Sequence, residues 1–220
     1  KQNRIQKQKQ KGLYTVHYHP IGGTIAPEKF GELYRLLSTM KDVEIRLAPD
    51  GSLYIIHLTG NEAKAVEAAT QDGAESALEA SVACIGASIC QAGVRDSQKL
   101  LQSIVEAVRK AGISHDALPQ LHISGCPSSC GTHQIGKIGF RGGVKLIDKV
   151  PHPAFTLYVN GCDKQGQEAM GEEVGVILEK DIPNFIVELG KTVDALGMVF
   201  EKWVSENPEG VKTAAKKYLQ

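Results

Sequence analysis

Four cysteines stand in two tight pairs: Cys84 and Cys90 in ACIGASIC, Cys126 and Cys130 in GCPSSCG, a C-x5-C and a C-x3-C with 35 residues between them. Thiols arranged this way can be closed by folding onto one metal centre. Small residues crowd both pairs: Gly86, Ala87 and Ser88, then Gly125, Ser128, Ser129 and Gly131. Glycine lets backbone N–H groups approach a bulky inorganic cluster, and such groups bond its sulfurs and tune it. Three readings are open. One is an iron–sulfur cluster on all four thiols. Another is structural zinc, whose paired ligands usually stand roughly two to four residues apart, short of C-x5-C. The third is four unrelated thiols packed as small hydrophobes.

Other reactive side chains lie nearby. His133 follows the second pair in CGTHQIG and reads as structural; His122 precedes it on an expected strand and reads as buried. His17 and His19 alternate with Val16 and Tyr18, which sets both imidazoles on one face of a half-exposed strand. Cys162 reads as a small packed residue. The run GKIGFRGG (136–143) has the glycines of a phosphate loop but no G-K-[ST] and no following helix, so nucleotide binding is set aside.

The elements that must carry these residues follow from periodicity. Leu13 to Tyr18 reads as a strand, broken by Gly22 and Gly23. Pro27 opens a helix with Phe30, Leu33, Leu36, Leu37 and Met40 on one face. Val43, Ile45 and Leu47 alternate as a strand, Asp50-Gly51 signals a hairpin turn, and Leu53 to Leu58 is the return strand. Asn61 is placed to cap a helix through Ala69. That order, β-α-β-β-α, is a ferredoxin-like half repeat. Beyond Gly73 come a helix capped by Asp96 or Ser97, with Leu100, Leu101, Ile104, Val105 and Val108 inward and Gly112 at its end, and a strand at Leu121 to Ile123 leading into Cys126. Ile138 to Phe140 and Val144 to Ile147 read as two strands turning at Gly142-Gly143, and Phe155 to Val159 as another. Asp181 caps a helix bearing Ile182, Phe185, Ile186, Leu189, Val193 and Leu196, and short helices with Trp203 and Tyr218 end the chain. The fold class is α+β: a polar linker or arm at 1–11, a half repeat at 12–75, and a larger α+β domain at 76–220.

Composition narrows the function classes. The chain has 220 residues, with 25 basic and 25 acidic side chains, 23% charged and 42% hydrophobic, ordinary for a globular protein. Zero net charge gives no argument for a nucleic-acid or membrane-surface partner. No apolar run is long enough to span a bilayer. A fifth cysteine, Cys162, leaves an odd count, which with the paired spacing argues against a secreted disulfide framework and for a reduced, cytoplasmic protein. Residues 1–11 hold five basic residues and four glutamines, with almost nothing to bury. The opening KQNRIQKQKQ, without Met, reads as a cut through a longer chain.

ACIGASICQAG, a helix, then LHISGCPSSCGTHQIGKIGFRGG resembles the C-terminal half of the siroheme-containing nitrite and sulfite reductases, and the resemblance runs from about Gly12 to the final helices. It implies a [4Fe–4S] cluster on Cys84, Cys90, Cys126 and Cys130, with Cys130 also bridging to the siroheme iron. It implies a reductase taking nitrite to ammonia or sulfite to sulfide, an electron donor such as ferredoxin, and either an N-terminal half repeat missing here or the family's smaller, single-repeat sulfite reductase type, which is about this size. Where the family often has Asn in the C-x3-C loop, this chain has Ser128, also short and polar, which reads as a tolerated replacement at a cofactor-binding position. Siroheme is a polycarboxylate and both substrates are oxyanions, so cations are required; those near the motifs are Arg46, Arg95, Lys137, Arg141 and Lys145, each read first as a solvated surface charge. The resemblance implies that the missing repeat supplies most such cations. The reading from another class is a non-catalytic module, apo or holding zinc, without reductase activity by itself.

Overall fold

Alternation of apolar and polar residues builds the first sheet. The strands are β1 (Ile5–Lys7), β2 (Tyr14–Tyr18), β3 (Glu44–Leu47) and β4 (Leu53–Leu58), all antiparallel in the order β1-β2-β4-β3. Helices α1 (Pro27–Leu37) and α2 (Gly60–Ala69) complete a core around Val16, Tyr18, Leu33, Ile55, Leu58 and Val66. This computed structural model describes residues 4–220 and divides the chain into two units, the first ending at Ser76 and the second running Ala77–Gln220. The β-α-β-β-α order read from the sequence is present in the first unit.

Two local expectations for this unit need correcting, and two apolar faces are less covered than their periodicity suggests. Residues 1–11 are not a bare arm: residues 5–7 pair with β2, and the Arg4 guanidinium donates to the Thr70 carbonyl and hydroxyl and to the Glu67 carbonyl, closing the C-terminal end of α2. Residues 1–3 of that arm lie outside the described residues. The cap of α2 is Thr59, not Asn61: Thr59 and Glu62 form a reciprocal capping box, T-x-x-E read two residues too late. The apolar face of α1 is only partly covered, with Leu33 and Leu37 buried but Phe30 58% exposed. Every residue of β3 is exposed, because it is the edge of the sheet. The expected turn at Asp50-Gly51 is there, with Gly51 left-handed and its N–H on the Ala48 carbonyl at 3.1 Å.

The second sheet runs β5 (Val82–Ala83), β6 (Leu121–Ser124), β7 (Ile138–Ile147), β8 (Val150–Val159) and β9 (Glu172–Leu178), in that spatial order. The first three are parallel and the rest antiparallel. Helix α3 (Ser97–Ala111) is the crossover from β5 to β6. Asp96 caps it, accepting from the Lys99 N–H at 3.0 Å, and left-handed Gly112 ends it. Its expected stripe is buried, and it packs on α4 (Ile182–Ala195). Helices α5 (Phe200–Glu206) and α6 (Gly210–Ala215) follow.

Gly142-Gly143 is not a turn. β7 runs straight through it, and the hairpin turns at Asp148 and Lys149, both left-handed. A Cβ on Gly142 would lie 2.3 Å from the Gly125 carbonyl oxygen, so that glycine makes room for another segment. β9 has no counterpart among the expected strands. Asp181 precedes α4 as expected, but its side chain caps nothing; Pro183 stands in the first turn instead.

Candidate metal centre at the ends of β5 and β6

Parallel pairing sends β5 and β6 out at the same end of the sheet, and the two cysteine pairs lie in the loops that leave there. Cys84 follows β5 directly. Its N–H donates to the Ile123 carbonyl at 3.0 Å, so it continues the ladder one step past the strand. Its sulfur lies 3.2 Å from the Gly125 N–H and 3.1 Å from the Ser97 hydroxyl. Ser97 in turn donates to the Cys84 carbonyl at 2.7 Å, tying the start of α3 to the first cysteine.

The loop bearing Cys90 folds back over the end of β6. Cys90 closes a single turn, its N–H on the Gly86 carbonyl at 2.9 Å. The returning chain is stitched down by Val94 and Arg95, whose N–H groups both donate to the Gly125 carbonyl, at 3.1 and 2.8 Å. Two glycines make this approach possible. Gly86 is left-handed, and a Cβ there would meet the Ser97 nitrogen at 2.8 Å; a Cβ on Gly125 would lie 2.4 Å from the Arg95 carbonyl oxygen. The small residues around the cysteines thus serve backbone-to-backbone contact.

The second loop is equally constrained. Cys126 is buried and Cys130 exposed. The Ser128 hydroxyl and N–H are both directed at the Cys126 sulfur and hold its thiol below the usual range, favouring the thiolate. Cys130 sits in a tight reversal flanked by left-handed Ser129 and Thr132, with the Thr132 N–H on the Ser129 carbonyl at 2.8 Å. Ser124 anchors the return: the Gly131 N–H donates to its hydroxyl at 3.1 Å, and His133 Nδ1 is 2.9 Å from the same oxygen. His133 is buried against Tyr158, and burial together with the Arg141 charge pushes its pKa down to about 4. Among the described residues no three His, Cys, Asp or Glu side chains are grouped around a single metal ion. Thiolates around a multi-iron cluster stand farther apart than the ligands of one ion.

The remaining candidates are spread out and engaged. Arg46 is on β3 in the first unit, paired with Glu44 at 2.9 Å. Arg95 pairs with Glu179 at 3.9 Å, and its main chain does the stitching described above. Arg141, on β7 opposite Ser124, lies over the Tyr158 ring and pairs with Glu173 at 3.5 Å. Lys145 donates to the Gln220 carbonyl at 2.9 Å. Lys137 pairs with Glu201 and lines a pocket of about 280 Å³ that also holds His122 and Asp163. His122 is buried, bonded to the Thr132 hydroxyl at 2.8 Å, and burial lowers its pKa. His17 and His19 share a strand face, both bonded at 2.9 Å to the Ser52 hydroxyl, which donates to Asp50. Cys162 is half-buried, bridged through its backbone to Ala169. The contribution of Ser124 as the anchor of the second loop was missed in the sequence; only its place directly before GCPSSCG hints at it.

This arrangement, two cysteine loops at the carboxyl ends of parallel strands in an α+β chain, agrees with what the chain resembles. It is 26% identical over 193 residues to the ferredoxin–nitrite reductase of Synechococcus elongatus, covering 84% of this chain and 37% of that enzyme. It is 26% identical over 163 residues to the NADPH sulfite reductase hemoprotein beta-component of Bacillus licheniformis, covering 64% of this chain and 27% of that protein. The solved structure of the NirA protein of Mycobacterium tuberculosis superposes with a TM-score of 0.76 at 20% identity, covering 94% of this chain and 40% of that one. No family model matches. The chain is thus similar to nitrite and sulfite reductases at low identity, and it spans 37% or less of the length of the two reductases compared in sequence.

Proposed function

We propose that this chain is the cluster- and siroheme-binding part of a nitrite or sulfite reductase, with Cys84, Cys90, Cys126 and Cys130 as ligands of a [4Fe–4S] cluster and Cys130 shared with the siroheme iron. The observation that carries the reading is the bond from the Gly125 N–H to the Cys84 sulfur, which ties the first residue of one pair to the residue just before the other. The donor set fits such a group: Ser128 biases Cys126 toward thiolate, and Gly125 offers a backbone donor to a sulfur ligand. When bound, a cluster joined to a haem supplies electrons one at a time and an iron on which an oxyanion is reduced, six electrons in all for nitrite to ammonia or sulfite to sulfide.

The chain's own residues hold and orient. Main-chain bonds and the Ser124 hydroxyl fix the two loops, and the exposure of Cys130 leaves its sulfur open to a second partner. The cations near the motifs are committed: Arg141 to Glu173 and Tyr158, Lys137 to Glu201, Arg95 to Glu179. A polycarboxylate macrocycle and an oxyanion need further positive charge, which in this proposal comes from parts of the relatives that the chain does not span. Ferredoxin is the proposed donor, in line with the name of the cyanobacterial relative. In this reading the protein works in the cytoplasm, and the chain alone binds cofactor without turning over.

The test is anaerobic reconstitution with iron, sulfide and siroheme. Expected is a cluster absorption that Cys84→Ser and Cys126→Ser abolish and Cys162→Ser leaves unchanged, with siroheme coupling lost in Cys130→Ser. Iron uptake that survives both Cys84→Ser and Cys126→Ser would sink the ligand assignment. Sustained production of ammonia or sulfide by the chain alone would sink its reading as part of an enzyme.

A further inference from the structure

Edge strands expose unpaired backbone groups, and proteins usually blunt them with charge, proline or a covering element. β3 is an open edge of the first sheet, and it is not blunted on its apolar side. Ile45 is 43% exposed and Leu47 80%, and with Phe30 and Tyr34 of α1, 58% and 74% exposed, they line a groove of about 550 Å³. The groove lies wholly within the first unit.

The ladder with β4 fixes which groups of β3 face outward. Partners in that pair run Glu44↔Ile56, Ile45↔Ile55, Arg46↔Tyr54 and Leu47↔Leu53, and the next step, Ala48 with Ser52, is hydrogen-bonded, N–H to carbonyl at 2.9 Å. Bonded pairs alternate along an antiparallel ladder, so Arg46 and Glu44 bond to β4. The N–H and C=O groups of Ile45 and Leu47 therefore point to the open edge.

We propose that this edge and the groove beside it form a self-association surface, where two copies of the chain pair antiparallel about a twofold axis at Ile45. In that register Ile45 exchanges both backbone bonds with its own copy, and Val43 opposes Leu47 on the groove side. On the other face each Glu44 lies opposite an Arg46, in the pairs where side chains come closest. The strand EIRL is thus complementary to itself reversed in both hydrophobicity and charge, as an isologous interface requires. Pairing joins two four-stranded sheets into one and brings the two copies of the α1 groove together over Phe30, Tyr34 and Leu47.

The experiment is sedimentation equilibrium of the whole chain across the micromolar range, with circular dichroism to verify folding. The wild-type chain is expected to dimerise, and Ile45→Lys to remove the dimer. Glu44→Arg and Arg46→Glu, both at exposed positions, each set like charges opposite one another twice and are expected to weaken it about 10-fold or more. The double exchange E44R/R46E restores the pairing and is expected to recover the dimer. A wild-type chain that stays monomeric, a dimer indifferent to Ile45→Lys, or a double exchange as weak as the single ones overturns the proposal. So does a dimer through another face, or an edge covered only when a longer chain is supplied.

Discussion

The two units secure their loops by different means. In the first, side chains tie the ends: Arg4 on the last carbonyls of α2, the Thr59–Glu62 box at its start, the Ser52 hydroxyl between His17 and His19. At the ends of β5 and β6 main-chain contacts lead, through Val94 and Arg95 on the Gly125 carbonyl, with glycines where any Cβ would collide, and the Ser97 and Ser124 hydroxyls add to them. A side-chain tie can be lost and the loop still held by its neighbours. A main-chain contact with no room for a methyl group fixes position to tenths of an ångström and tolerates almost no substitution. The region that carries the cysteines is built in the second way, which suits a rigid ligand platform.

The comparison is broken most sharply by two adjacent glycines on β7. Gly142→Ala places its Cβ 2.3 Å from the Gly125 carbonyl oxygen, while Gly143→Ala meets nothing within 4 Å. We expect Gly142→Ala to cost about 2–3 kcal/mol in denaturant unfolding of the second unit and Gly143→Ala to stay within about 0.5 kcal/mol. Equal costs would mean that the close packing around Gly125 does not matter.

Acid sharpens it next. His133 is held neutral, its pKa down from 6.5 to about 4, and His122 shifts the same way by burial. Above pH 6.5 neither native nor unfolded chain holds a proton on His133, so there is no penalty. Between pH 6.5 and 4 the unfolded chain takes a proton that the native one refuses, so stability falls with pH by up to about 1.4 kcal/mol per pH unit and levels off below 4. His133→Gln should lessen that slope and leave the part that His122 contributes, read from unfolding midpoints at a series of pH values. A slope unchanged in the variant would place the acid sensitivity elsewhere.

The smallest effect belongs to the first unit. Thr59→Ala removes half of the capping box and is expected to cost about 1 kcal/mol in the unfolding of that unit, leaving the second unchanged. A loss shared by both units would show that they do not melt separately.

Much of this was legible in the sequence, for reasons of locality. The β-α-β-β-α order, the stripe of α3 and its caps at Asp96 and Gly112 all depend on neighbours a few residues away. The pairing of the cysteines was equally plain. What escaped depends on partners far along the chain. Gly142-Gly143 looks like a turn because glycine allows positive φ, yet Gly142 serves Gly125, which no local pattern reveals. The real turn uses Asp148 and Lys149, and lysine in a left-handed position is no turn signal. The edge position of β3 was hidden as well, since alternation in Val43, Ile45 and Leu47 looks the same whether or not a neighbour covers it. The five candidate cations were found by type, but the carboxylate partners of Arg95, Lys137 and Arg141 and the Gln220 carbonyl that Lys145 meets lie far along the chain; only Arg46 has its partner, Glu44, close by.

The parallel pairing of Val82 with His122 also bears on the order of folding. Hairpins such as β7 with β8 join neighbours in the chain and close quickly, whereas β5 can meet β6 only after the whole of α3 has formed a crossover between them. Until that slow step, Cys84 and Cys90 travel on one segment and Cys126 and Cys130 on another. A nascent chain therefore presents two separate dithiols, and their loops reach the same end of the sheet only once this crossover is complete.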